Sequence, residues 1–135
     1  MIITLGISVE AWACSCSIGG VKEKYDNHIS IFEGKVSEII YYDLYDSWGD
    51  QYIKVKFKTI KLWKGASNQN ELLTVYNRTS CYGYWFKENQ NYIIYAFEEE
   101  DHLNTWWCGG VISEKASSKE YTREIKSLNK LANEI

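Results

Sequence analysis

The chain has 135 residues, which suits a single domain with one closed hydrophobic core. Aromatic residues make up 16%, with Tyr 11, Trp 6 and Pro 0, which excludes a disordered or collagen-like chain and favours β structure. A net charge of -3 leaves no basic excess for nucleic acid, and no apolar stretch reaches the roughly 18 residues of a membrane span, so a soluble monomer is expected.

Residues 2–9 form an apolar run, and Ala11-Trp12-Ala13 places small residues where signal peptidase accepts them. Residues 1–13 therefore read as a leader, although they carry no Lys or Arg and Glu10 stands close to the cut. Cleavage would make Cys14 the first residue of a domain over 14–135, secreted or held at the cell surface. Two other readings stand beside it: an uncut N-terminal strand, and a lipidated Cys14, since Ala-Trp-Ala-Cys approximates a lipoprotein box. Four cysteines in an exported chain imply two disulfides. A Cys14–Cys16 bridge would be strained, so two connectivities remain, each tying the N-terminal strip to Cys81 and Cys108. Long loops of this kind stabilise by on the order of 4 kcal/mol each. A four-cysteine zinc site is the rival, but the paired C-x2-C knuckles it needs are missing.

Beyond Ile18 and Gly19-Gly20, Val21 and Tyr25 share one face of a two-turn helix over residues 21–27. Residues 29–42 read as a long strand with a bulge or bend at Gly34, and 43–50 as a polar and aromatic hairpin tip. In residues 52–63, Ile53, Val55 and Phe57 alternate with Lys54, Lys56 and Lys58, the pattern of a half-buried antiparallel strand turned by Lys64-Gly65. A small polar turn over 66–70 leads to a strand at 71–76. An irregular segment over 77–84 holds Cys81 and the glycosylation sequon Asn77-Arg78-Thr79. Residues 91–97 form a strand, followed by an acidic, solvated turn from Glu98 to Asp101, and 103–108 a shorter strand. Ser117 and Glu120 form a capping-box pattern, and Tyr121, Ile125, Leu128, Leu131 and Ile135 recur at helical spacing. The expected fold is mainly β: an OB-like closed five-stranded antiparallel barrel with a short N-terminal helix and an amphipathic C-terminal helix.

These residues resemble a known family. The Cys14-x-Cys16 strip, Trp63-Lys64-Gly65, Cys81 followed by Phe86, the run Tyr92-Ile93-Ile94-Tyr95-Ala96, and Leu103-Asn104-Thr105 before Cys108 look like the N-terminal, netrin-like domain of tissue inhibitors of metalloproteinases. The likeness covers almost the whole chain after the leader and is to the short bacterial-type single-domain members. It implies disulfides Cys14–Cys81 and Cys16–Cys108 and a zinc metalloprotease as partner. The amino nitrogen and carbonyl oxygen of Cys14 would then chelate the target's catalytic zinc. Ser15 would point into the primary specificity pocket, and Cys16, Ser17, Thr79, Ser80, Cys81 and Tyr82 would make a contact ridge. The resemblance implies no cofactor and no metal of the protein's own. In this chain Tyr82 stands between Cys81 and Gly83, where the family usually has glycine directly after the cysteine.

Catalysis is not expected. His28 and His102 are the only histidines and read as surface or turn residues, and oxidised cysteines supply no thiolate. The competing reading is a non-inhibitory binding module of the same barrel class. In it Tyr41, Tyr42, Tyr45, Trp48, Trp106 and Trp107 recognise a protein, glycan or envelope component.

Overall fold

The longest strand, β1 (Ser30–Tyr45), lies at the centre of the sheet in the computed structural model, which describes residues 19–76, 84–105 and 107–133. Helix α1 (Val21–Asn27) precedes it, and β2 (Gln51–Lys64), β3 (Glu71–Tyr76), β4 (Asn91–Glu99) and β5 (His102–Asn104) follow. A 3-10 turn (Trp107–Gly109), the two-residue β6 (Ile112–Ser113) and helix α2 (Ser118–Asn133) complete the described chain. The fold is mainly β with two helices. All strand pairs are antiparallel, in the order β3-β2-β1-β4-β5, and β6 also pairs with β4.

The sheet buries both faces of its centre. Phe32, Ile53, Val55, Phe57, Leu72, Phe86 and Ile94 fill one core, while Ile31, Ile93 and Tyr95 turn the other way against Tyr25, Trp63, Tyr121 and Leu128. This explains the unbroken apolar run from Tyr92 to Ala96: a strand covered on both sides has no solvent face to mark with polar residues. In the first core, Phe86 meets Phe57 and Tyr92 edge-on, with centroids 5.6 and 5.0 Å apart. Such pairs add roughly 0.5–1.5 kcal/mol each beyond their buried area.

Gly34 interrupts the β1–β2 register as the sequence predicts. A Cβ there would lie 3.0 Å from the Phe57 Cβ, so the close approach of β1 to β2 favours glycine. The hairpin tip is shorter than expected, because β1 runs on to Tyr45. Asp46 closes the turn, its Oδ1 accepting from the backbone amides of Trp48 and Asp50, both at 2.9 Å.

The expected closed barrel is not formed among the described residues: the sheet is open, with no ladder between β3 and β5. Local chemistry accounts for this. β5 stops at Asn104, where the Asn104 side chain accepts from the Thr105 amide at 2.7 Å and turns the chain out of the strand. The two strands lie side by side at the seam, where Thr74 Oγ1 donates to the Thr105 carbonyl at 3.1 Å. The 103–108 strand accordingly reduces to β5 and a 3-10 turn. β4 extends two residues further than expected, to Glu99. Glu100 and Asp101, at φ 48° and 71°, then make a two-residue connection of the kind that suits hairpin twist.

Candidate functional site

The residues implied as zinc chelator and contact ridge, Cys14, Ser15, Cys16 and Ser17 with Thr79, Ser80, Cys81 and Tyr82, lie outside the described residues. So do the leader, Trp106 and Ile135. The Cys108 thiol, on the 3-10 turn, is not free, and no free cysteine occurs among the described residues. The structure does describe the place where the N-terminal strip joins the body.

That junction opens at Gly19, whose φ of 74° and missing side chain make room for Glu23; a Cβ would lie 2.5 Å from the Glu23 carboxylate. The Glu23 carboxylate in turn accepts from the Gly20 amide at 3.2 Å, fixing the start of α1. One turn later Lys24 points inward, its side chain 7% exposed, and its ammonium lies 2.5 Å from the carboxylate of Glu124 on α2, 8% exposed. The Tyr95 hydroxyl donates to the same carboxylate oxygen at 2.5 Å, and the Lys24 ammonium stands 4.5 Å from the centre of the Tyr95 ring. Burial, then the Glu124 hydrogen bond and charge, push the Tyr95 phenol far above its ordinary range, so it remains a donor. The aliphatic stem of Lys24 crosses Gly110, where a Cβ would be 2.7 Å from its Cδ. One buried ion pair therefore holds α1, β4, α2 and the turn bearing Cys108 together.

The Trp63-Lys64-Gly65 turn completes the seating. Lys64 Nζ donates to the Tyr25 carbonyl at 2.6 Å, supplying a cation at the C-terminal end of α1. Trp63 Nε1 donates to Asn129 Oδ1 on α2 at 2.7 Å. Gly65 has φ 104° and packs against Ser30. His28 is not a simple surface residue. It caps α1, packs against Tyr95 with centroids 5.5 Å apart, and its Nδ1 lies 2.8 Å from the Lys24 carbonyl. Since a carbonyl only accepts, Nδ1 carries the proton in the neutral ring. Burial, followed by the charges of Lys24 and Lys64, lowers its pKa against the opposing carbonyl contact, which keeps the ring neutral at neutral pH. His102 lies on β5, its Nε2 3.8 Å from Glu99.

A second feature is a groove of about 890 Å³ bounded by the β1–β2 hairpin, β3 and the β4–β5 turn. Of the aromatic residues named from sequence, Tyr42 and Trp48 line it, and Trp48 is 72% exposed. Tyr41 and Tyr45 are also exposed, with Tyr41 against Tyr76 at 6.0 Å. Nothing is described of the Trp107 side chain. No group of three or more His, Cys, Asp or Glu suited to a metal occurs among the described residues, and no described helix is long and apolar enough to cross a membrane.

The Lys24–Glu124 pair escapes a reading of the sequence, although a signal exists. Glu124 stands three residues after Tyr121 and four before Leu128, inside the apolar stripe of α2, where an unpaired carboxylate would be costly. A search with protein-family models found no match to the chain, and a search of curated proteins found none either.

Proposed function

We propose that the protein is a secreted or surface-held inhibitor of zinc metalloendopeptidases that caps the target's catalytic zinc with its own N-terminus after cleavage before Cys14. The observation that carries this reading is the buried seat of α1. A chelating terminus works only if its entropy of ordering has been removed beforehand, and α1 begins four residues after Ser17 on an ion pair that reaches across to α2. The strand order supports it as well: β1 flanked by β2 and β4, with β3 and β5 outermost, is an order that an OB-type fold would share.

The chemistry is simple. A catalytic zinc has three protein ligands and a water in an open position. The α-amino nitrogen and carbonyl oxygen of Cys14 would displace that water as a five-membered chelate. The amine binds in its neutral form, and with a reference pKa of about 7.7 to 8.0 the metal competes with a weakly held proton near neutral pH. Ser15, being small, would leave a deep specificity pocket mostly empty, which predicts broad selectivity. Bridges from Cys14 to Cys81 and from Cys16 to Cys108 would bring Ser17, Thr79, Ser80 and Tyr82 beside the strip. The test is inhibition of several zinc endopeptidases by the chain starting at Cys14, next to the same chain with one extra N-terminal alanine. Loss of inhibition on extension is expected. Inhibition that survives extension, or none from either form, refutes the reading.

The groove favours a second reading, a non-inhibitory extracellular module that recognises a partner through its aromatic surface, with Trp48 as the exposed ring.

A further inference from the structure

β1 is 16 residues long, but only its first part has neighbours on both sides. It pairs with β4 from Ser30 to Lys35. The segment before β4 continues the contact, Val36 donating to the Gln90 carbonyl at 3.0 Å and accepting from the Asn89 amide at 2.8 Å. Further along, the Ile39 amide donates to a Glu88 carboxylate oxygen at 3.3 Å. From there to Tyr45 the strand keeps β2 on one side and, among the described residues, has no main-chain partner on the other. The Tyr42 carbonyl faces β2, where Gln51 Nε2 donates to it at 3.0 Å. Backbone groups alternate along an extended strand, so Tyr41 and Asp43 present theirs to the open side, as Ile39 does.

The sheet has another open margin, and there the sequence guards it. β2 leaves β3 after Lys56, and in the stretch that follows Lys58 and Lys61 are exposed while Ile60 has no opposite residue on β1. Lysines and bulges keep an edge from pairing with another chain. The open part of β1 contains no lysine and no proline, its register with β2 is regular from Glu38 to Tyr41 and shifts only toward the hairpin end, and Tyr41, Leu44 and Tyr45 are each more than half exposed.

A second copy matches this edge in charge and in pattern. In an antiparallel pair with a two-fold axis at Tyr41, residues equally far before and after it face each other. Ile40 then meets Tyr42, Ile39 meets Asp43 and Glu38 meets Leu44, so apolar side chains oppose aromatic ones and the two acids never oppose an acid. A foreign segment would have no reason to require this self-matching. Two such edges with their exposed rings would bury on the order of 1,000 Å², the low end for a specific contact.

We propose that two copies of this chain associate through antiparallel pairing of the open part of β1 about a two-fold axis at Tyr41, which joins two sheets into one. This interface depends neither on zinc chelation nor on a ligand in the groove.

The test is sedimentation velocity of the full chain over a wide range of concentration. A reversible dimer with a dissociation constant on the order of 10 μM is expected. Tyr41→Lys and Tyr41→Glu each set like charges face to face on the axis and should weaken it at least about tenfold. An equimolar mixture of the two variants should recover association, because lysine then meets glutamate. Ile60→Lys, an exposed apolar residue made basic on the guarded margin, should leave the dimer unchanged. Residue 41 is more than half exposed, so both variants keep the fold, which thermal unfolding of dilute protein checks. A chain that stays monomeric throughout, a dimer that both Tyr41 variants retain, a mixture no better than its components, or an equal loss in Ile60→Lys overturns the proposal.

Discussion

Replacing Lys24 by Met should expose how much of the structure rests on one ion pair. Lys24 and Glu124 are both more than nine-tenths buried, so removing the ammonium leaves a carboxylate with no opposing cation in a low-dielectric site. Breaking a pair of this type from one side costs about 3–5 kcal/mol. Tyr95 still donates to Glu124, which places the expected loss near the lower end, about 3 kcal/mol. For a domain of this size each kcal/mol lowers Tm by roughly 3–5 °C, giving a fall of about 10–15 °C. Adding Glu124→Gln should recover half or more of the loss, because the amide oxygen keeps accepting from Tyr95 while the uncompensated charge disappears. Equilibrium urea unfolding followed by tryptophan fluorescence measures both variants. A single variant that loses less than about 1 kcal/mol, or a double variant no more stable than the single, would show that the charge is solvated and the clamp illusory.

Three further outcomes are expected. Gly110→Ala should cost about 1–3 kcal/mol, since it combines a φ of 96° with a Cβ 2.7 Å from Lys24, whereas Gly49→Ala, at φ 86° in open space, should cost only about 1 kcal/mol; thermal unfolding compares them. Trp63→Phe keeps the ring packing but removes the donor to Asn129, and should lose about 1 kcal/mol in the same assay. Stability should hold up to pH 10 and fall above it. Burial raises the phenols of Tyr84 (to about 12), Tyr92, Tyr95 and Tyr121 above the unfolded value of 10.0, so the unfolded chain releases protons first and alkali favours it. Urea midpoints measured across that range check the sign.

Most of the framework is readable from side-chain periodicity. The alternation from Ile53 to Phe57 gives β2 its two faces, and Tyr121, Ile125 and Leu128 give α2 its stripe, because both patterns follow directly from which side is buried. The open seam is not readable in that way. Whether β3 and β5 join is decided by a single asparagine turning back on its own neighbour's amide, a local event with no period. β6 escapes for a different reason: two residues are too few to alternate. The clamp inverts the usual rule that charged residues lie outside, so Lys24 reads as the solvated side of a short helix until Glu124 is seen across from it. Gly34, Gly65 and the acidic β4–β5 turn are legible as places where the chain must bend, and the structure adds that a Cβ would meet Phe57 at Gly34 and Ser30 at Gly65.

The two helices that meet through Lys24 and Glu124 stand a hundred residues apart in the sequence (124 - 24 = 100). During synthesis, the first helix has no counter-charge until about a hundred further residues have been made, so its buried lysine waits for α2 before the pair can close. The seat of α1 is therefore completed by a late-made element, and a chain interrupted before α2 would leave Lys24 with no carboxylate to meet.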